Sequence, residues 1–149
     1  MEGVWMPAEA VAPIDILLIE DDPGDVLLTR EAFADHKVRN RLTVCGDGRE
    51  ALAYLRRRGP YADAKIPDLI LLDLSLPGLD GRELLAEIAR DPELRDIPVV
   101  ILTNSLAERD ILRARQLRAA DYVSKPVDFY RLVEVVKRIE RLALVVVRV

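Results

Sequence analysis

The chain has 149 residues, half of them hydrophobic, which suits one domain with a real core and leaves no room for a second independent one. Its formal charge of −4 comes from 22 basic and 26 acidic residues mixed along the chain. No basic stripe or aromatic interleaving is present, which argues against nucleic acid as a direct partner.

The N-terminal residues 1–13 carry acid and no signal-length apolar stretch, so they read as an arm before the domain. Strand patterns then recur at 15–20, 42–46, 69–73, 99–103 and 121–124, as apolar β-branched or leucine-rich runs, with helical patterns between them. The first helix has Asp22 as its cap and Pro23 in its first turn, followed by Val26, Leu27, Arg30 and Phe33 at helical spacing. Cys45, the single cysteine, lies in the second strand and reads as a small buried hydrophobe, in keeping with a reducing cytoplasm. Further helices are expected over 50–57, 81–89 with Asp80 as cap, 107–117 and 128–142. His36 has no metal-ligand spacing around it and reads as a solvated surface side chain. The apolar run 142–147 is much shorter than the roughly 20 residues of a membrane span. The chain therefore reads as soluble and cytoplasmic, with 142–149 as an apolar C-terminal extension that forms either a short added strand or a dimer contact.

Strands alternating with helices imply an α/β fold, because parallel strands need crossover connections and those are right-handed. The expectation is a doubly wound five-stranded parallel sheet of order 2-1-3-4-5, with a crevice at the carboxyl ends of strands one and three. The fold class and the placement of the acids, rather than periodicity, suggest that order.

The chemistry lies at the strand ends. Asp73 ends the buried run Leu69-Ile70-Leu71-Leu72, while Glu20 and Asp21 end the run Ile16-Leu17-Leu18-Ile19. Two ionised carboxylates about 4 Å apart repel by about 4 kcal/mol at an effective dielectric near 20, so a positive partner is required. A hard divalent cation, magnesium, suits a shallow site of this kind. Lys125 ends the fifth strand as a fixed positive charge and Thr103 ends the fourth with a hydroxyl. The set suits phosphoryl transfer onto a carboxylate, with Asp73 as nucleophile and Thr103 and Lys125 pulled inward by the added oxygens.

Ile19-Glu20-Asp21-Asp22, Asp73-Leu74-Ser75-Leu76-Pro77-Gly78-Leu79-Asp80-Gly81, Leu102-Thr103 and Tyr122-Val123-Ser124-Lys125-Pro126 together resemble the receiver domain of two-component response regulators, over residues 14–141. The resemblance implies a sensor histidine kinase as phosphoryl donor. It also implies magnesium bound by Asp21, Asp73 and the backbone carbonyl of Ser75, with Glu20 acting through water. Thr103 and Tyr122 would be the switch pair, and Lys125-Pro126 a cis peptide. More narrowly, the run from Glu20 to Leu28, the segment 56–67 and the tail are similar to the small regulators partnered with bacterial phytochromes. That similarity implies a light-sensing kinase and a homodimer through the fourth helix, fifth strand, fifth helix and C-terminal extension.

Two departures stand out. Asn104 follows the switch threonine where the family usually has a small residue, which puts kinetics in question, and Arg118 replaces the glycine that commonly ends the fourth helix. The expected function is a phosphorylation switch that catalyses only its own phosphotransfer and dephosphorylation and signals by protein contacts. A haloacid-dehalogenase-like phosphatase is the rival reading, but its general-acid aspartate two residues after the nucleophile is Ser75 here. A flavodoxin-like binding module is the third, and Glu20-Asp21-Asp22 would repel the anion it needs.

Overall fold

A computed structural model describes residues 13–36, 38–76, 80–103, 107–117, 119–124 and 128–139. Five parallel strands, β1 (Ile14–Ile19), β2 (Asn40–Cys45), β3 (Leu69–Asp73), β4 (Val99–Thr103) and β5 (Asp121–Ser124), form one sheet in the order β2-β1-β3-β4-β5. Helices α1 (Pro23–Asp35), α2 (Gly48–Leu55), α3 (Gly81–Arg90), α4 (Ala107–Ala114) and α5 (Phe129–Lys137) complete the alternation. The doubly wound expectation and its strand order hold.

Central β3 and β4 are buried along their whole length, because helices cover both faces of the sheet and the strands are apolar throughout. Alternate residues point to opposite layers. Leu17, Ile19, Ile70, Leu72, Val99 and Ile101 meet Ala51 and Leu55 of α2, Leu84, Leu85 and Ile88 of α3 and Leu112 of α4. Ile16, Leu18, Leu69, Leu71, Val100 and Leu102 meet Ala32 and Phe33 of α1 and Leu132, Val133, Val135 and Val136 of α5. Each fully buried leucine or isoleucine contributes roughly 2 kcal/mol, so Leu69, Ile70, Leu71 and Leu72 hold the register of β3 firmly enough to carry the Asp73 carboxylate into the rim.

Helix starts follow their caps. Asp22 accepts from Gly24 N, Asp80 from Arg82 N, and Asp128 from Tyr130 N and Arg131 N. The second helix departs from expectation: it begins at Gly48, because Asp47 accepts from Arg49 N and starts it two residues early. Helix α2 ends at Leu55 rather than 57, and a 3-10 turn over Gly59–Tyr61 lies in the segment 56–67 before β3. Helix α4 stops at Ala114 rather than at 117, and α5 runs from Phe129 to Lys137, while residues 140–142 of the expected helix lie outside the described residues.

The end of α4 has a clear cause. Gln116 takes a left-handed conformation at φ 61, while Leu117 N donates to Leu112 O and Gln116 N to Arg113 O. That is a Schellman ending with a non-glycine residue in the position glycine favours. The left-handed cap thus falls two residues before Arg118, which lies outside the described residues. Gln116→Gly is expected to raise stability by about 0.5–1 kcal/mol, or roughly 1–4 °C in thermal melts of a domain this size. An unchanged or lower melting temperature would count against a strained cap.

Cys45 is 1% exposed, and burial, with a smaller push from the charge of Glu50, raises its thiol pKa to about 12. Iodoacetamide should therefore leave the native thiol unmodified near neutral pH and alkylate it on unfolding, as mass spectrometry can check. His36 corrects the sequence reading of a solvated side chain: it is half-buried, its Nδ1 lies 2.9 Å from Ala32 O, and its ring meets Tyr130 edge-on at 5.0 Å.

Candidate functional site

Parallel pairing puts the acids together. Ile19 of β1 is opposite Leu72 of β3, so Glu20 leaves β1 beside the place where Asp73 ends β3. One carboxylate oxygen from each of Glu20, Asp21 and Asp73 lies within 4.8 Å of the other two. Glu20 and Asp73 are 2% exposed, whereas Asp21 opens to solvent.

Local hydrogen bonds shape the rim. Ser75 N donates to Asp73 Oδ1 at 2.9 Å, turning the chain away from the sheet and steadying the carboxylate. Leu74 N donates to Leu102 O at 3.1 Å, which ties that turn to β4. Across the crevice Asp22 N donates to Glu20 Oε1 at 3.1 Å, so Glu20 folds back over the start of α1. Asp22 itself is occupied as the helix cap, with Gly24 N at 2.8 Å. The three consecutive acids therefore divide their roles: one caps the helix and two face Asp73.

At 4.8 Å two ionised carboxylates repel by about 3 kcal/mol with an effective dielectric near 20. The donor set is all oxygen, partly buried and anionic, which fits a divalent cation and disfavours a soft metal. Two of the expected metal-binding side chains and the proposed nucleophile are thus brought together, and Ser75 is exposed beside them.

Thr103 ends β4 at 2% exposure, paired in register with Ser124. Tyr122 is half-buried in β5, opposite Ile101, and packs against the layer that holds α3 and α4. Lys125, Pro126 and Asn104, like residues 1–12 and 142–149, lie outside the described residues.

Sequence reasoning missed one neighbour of the site. Arg82, in the first turn of α3, donates from Nε to Glu108 Oε2 at 2.9 Å and from its second terminal nitrogen to Glu108 Oε1. The hydrogen bond to Glu108, and then its charge, raise the Arg82 pKa above its ordinary value. No local pattern announces a pair 26 residues apart.

The response regulator receiver domain model matches residues 16–137. Response regulator Rcp1 of Synechocystis sp. is 40% identical over 135 residues, spanning 91% of this chain and 92% of that protein. The crystal structure of the phosphorylated cyanobacterial phytochrome response regulator RcpA is 46% identical, with a TM-score of 0.74 over 88% of this chain and 94% of that one. The Mn(2+)-bound form of Rcp1 is 39% identical, with a TM-score of 0.74 over 92% and 99% of the two chains. A match over this much of the chain, at these identities and on the same fold, means that the protein belongs to the response regulator receiver domain family.

Proposed function

We propose that Asp73 accepts a phosphoryl group from a sensor histidine kinase and that the modified rim signals through protein contacts. The observation that carries this reading is the convergence of Glu20, Asp21 and Asp73 within 4.8 Å, with Asp73 held at the end of a fully buried strand. An Asp73 oxygen attacks phosphorus, the bond from phosphorus to the donor's imidazole nitrogen breaks, and that nitrogen leaves with the electron pair. Magnesium, when bound, neutralises charge on the acids and on the phosphoryl oxygens. Asp21, Asp73 and the carbonyl of Ser75 would hold it, with Glu20 acting through water.

Ser75 N–H restricts the rotation of the Asp73 carboxylate, which favours in-line attack. Thr103, buried at the end of the neighbouring strand, would hydrogen-bond the new oxygens, and Lys125 would offset their charge. Movement of Thr103 would be read by Tyr122 on the next strand. The chain in this reading catalyses only its own phosphorylation and dephosphorylation. Ser75, two residues after the nucleophile, has no titrating acid to drive rapid turnover.

The likeness to the cyanobacterial phytochrome response regulator RcpA supports a light-sensing kinase as donor. A homodimer through α4, β5, α5 and the C-terminal extension is part of the same reading. The test is incubation with acetyl phosphate and magnesium, followed by intact mass. The parent should gain one phosphoryl group and Asp73→Asn none, whereas an adduct on the variant would refute the assignment.

A further inference from the structure

We propose that the Arg82–Glu108 ion pair is a positioning contact for the phosphoryl switch, anchoring the start of α4 to the start of α3 in the resting arrangement. The inference rests on Asp73 being the phosphoacceptor. Arg82 grips Glu108 with two parallel hydrogen bonds, a geometry that specifies direction as well as distance. The two side chains are 31% and 22% exposed, so water screens the pair less than it would an open surface pair.

Each end of the pair leads to one half of the switch. Arg82 follows Gly81, where an added Cβ would lie 2.9 Å from Leu74 Cα and 3.0 Å from Leu74 O, so α3 begins in direct contact with the residue after Asp73. Glu108 is the second residue of α4 and lies five positions after Thr103. The pair therefore closes a path from Asp73 through Leu74, Gly81 and Arg82 to the helix that follows Thr103. This path is separate from the direct pairing of Asp73 with Leu102 in the sheet. Asp80 Oδ2 is the other carboxylate near this guanidinium, 3.8 Å from Nη1, and it belongs to the same helix start.

A contact made in one of two states biases the equilibrium by its own strength. If drawing Thr103 toward a phosphorylated Asp73 displaces α4 against α3, the pair is a contact of the resting state, and its removal favours the phosphorylated state. Beryllofluoride with magnesium serves as the phosphoryl mimic. Glu108→Gln and Arg82→Gln should each tighten its binding by about fivefold, at the low end of typical coupling factors. The double exchange Arg82→Glu with Glu108→Arg should return affinity toward the parental value. A merely structural role would lower the melting temperature of the single variants without tightening the mimic.

Unchanged or weaker binding in both single variants, with the parent binding normally, overturns the positioning role and leaves Asp73 as acceptor. So does a double exchange that fails to restore the parental value. A parent that neither binds beryllofluoride nor gains a phosphoryl group removes both readings.

Discussion

Asp73→Asn is expected to take up no phosphoryl group and, in metal-free buffer, to unfold at a higher temperature than the parent. The first effect follows from chemistry, since the amide is a far poorer nucleophile than the carboxylate. The second follows from charge. Three carboxylates within 4.8 Å oppose one another, and an amide of nearly equal size relieves two of the three repulsions while Asn Oδ1 can still accept from Ser75 N. Asp21 is exposed, so screening reduces the gain to on the order of 1 kcal/mol. Magnesium should raise the melting temperature of the parent, because a ligand that binds only the native state stabilises it by mass action. The shift should shrink in Asp73→Asn and in Asp21→Ala. Equal magnesium shifts in parent and variants would remove these acids from the metal site, whatever the phosphorylation assay gives.

Gly81→Ala should cost about 1–3 kcal/mol, the usual range for overpacking, and lower the melting temperature by several degrees. The new Cβ would meet Leu74 Cα at 2.9 Å and Leu74 O at 3.0 Å, and neither backbone atom can swing aside as a side chain could. Alanine has the higher helix propensity, worth at most about 1 kcal/mol over glycine, so the clash outweighs the gain. Relief requires moving Leu74, whose neighbours are Asp73 and the Ser75 N–H that steadies it. Phosphorylation by acetyl phosphate should slow in parallel. A variant as stable as the parent would show that the start of α3 is looser against the β3 turn than these distances indicate.

Much of the site was legible because each of its acids sits at the end of an apolar run, where a strand must stop at the sheet's rim. Asp73 after Leu69-Ile70-Leu71-Leu72 and Glu20-Asp21 after Ile16-Leu17-Leu18-Ile19 are such cases, and the register from Ile19 to Leu72 brings them together. Thr103 reaches the end of β4 by the same rule. The cap of α1 was legible too, because Asp22 directly precedes Pro23, and the hydrogen bond from Gly24 N bears it out. Asp47 is not legible as a cap, because Gly48 after it is a poor helix former, yet the hydrogen bond from Arg49 N outweighs that preference.

The order of apolar runs, caps and acids along this chain determined the alternating α/β architecture and which carboxylates could reach the rim, since local periodicity and strand termination are encoded in neighbouring residues. Tertiary structure alone decided the contacts between separate elements: the edge contact of His36 on Tyr130, the seat of Gly81 on Leu74 and the grip of Arg82 on Glu108. Each depends on how one element settles against another. That placement is set by the summed packing of both layers rather than by any short run of residues.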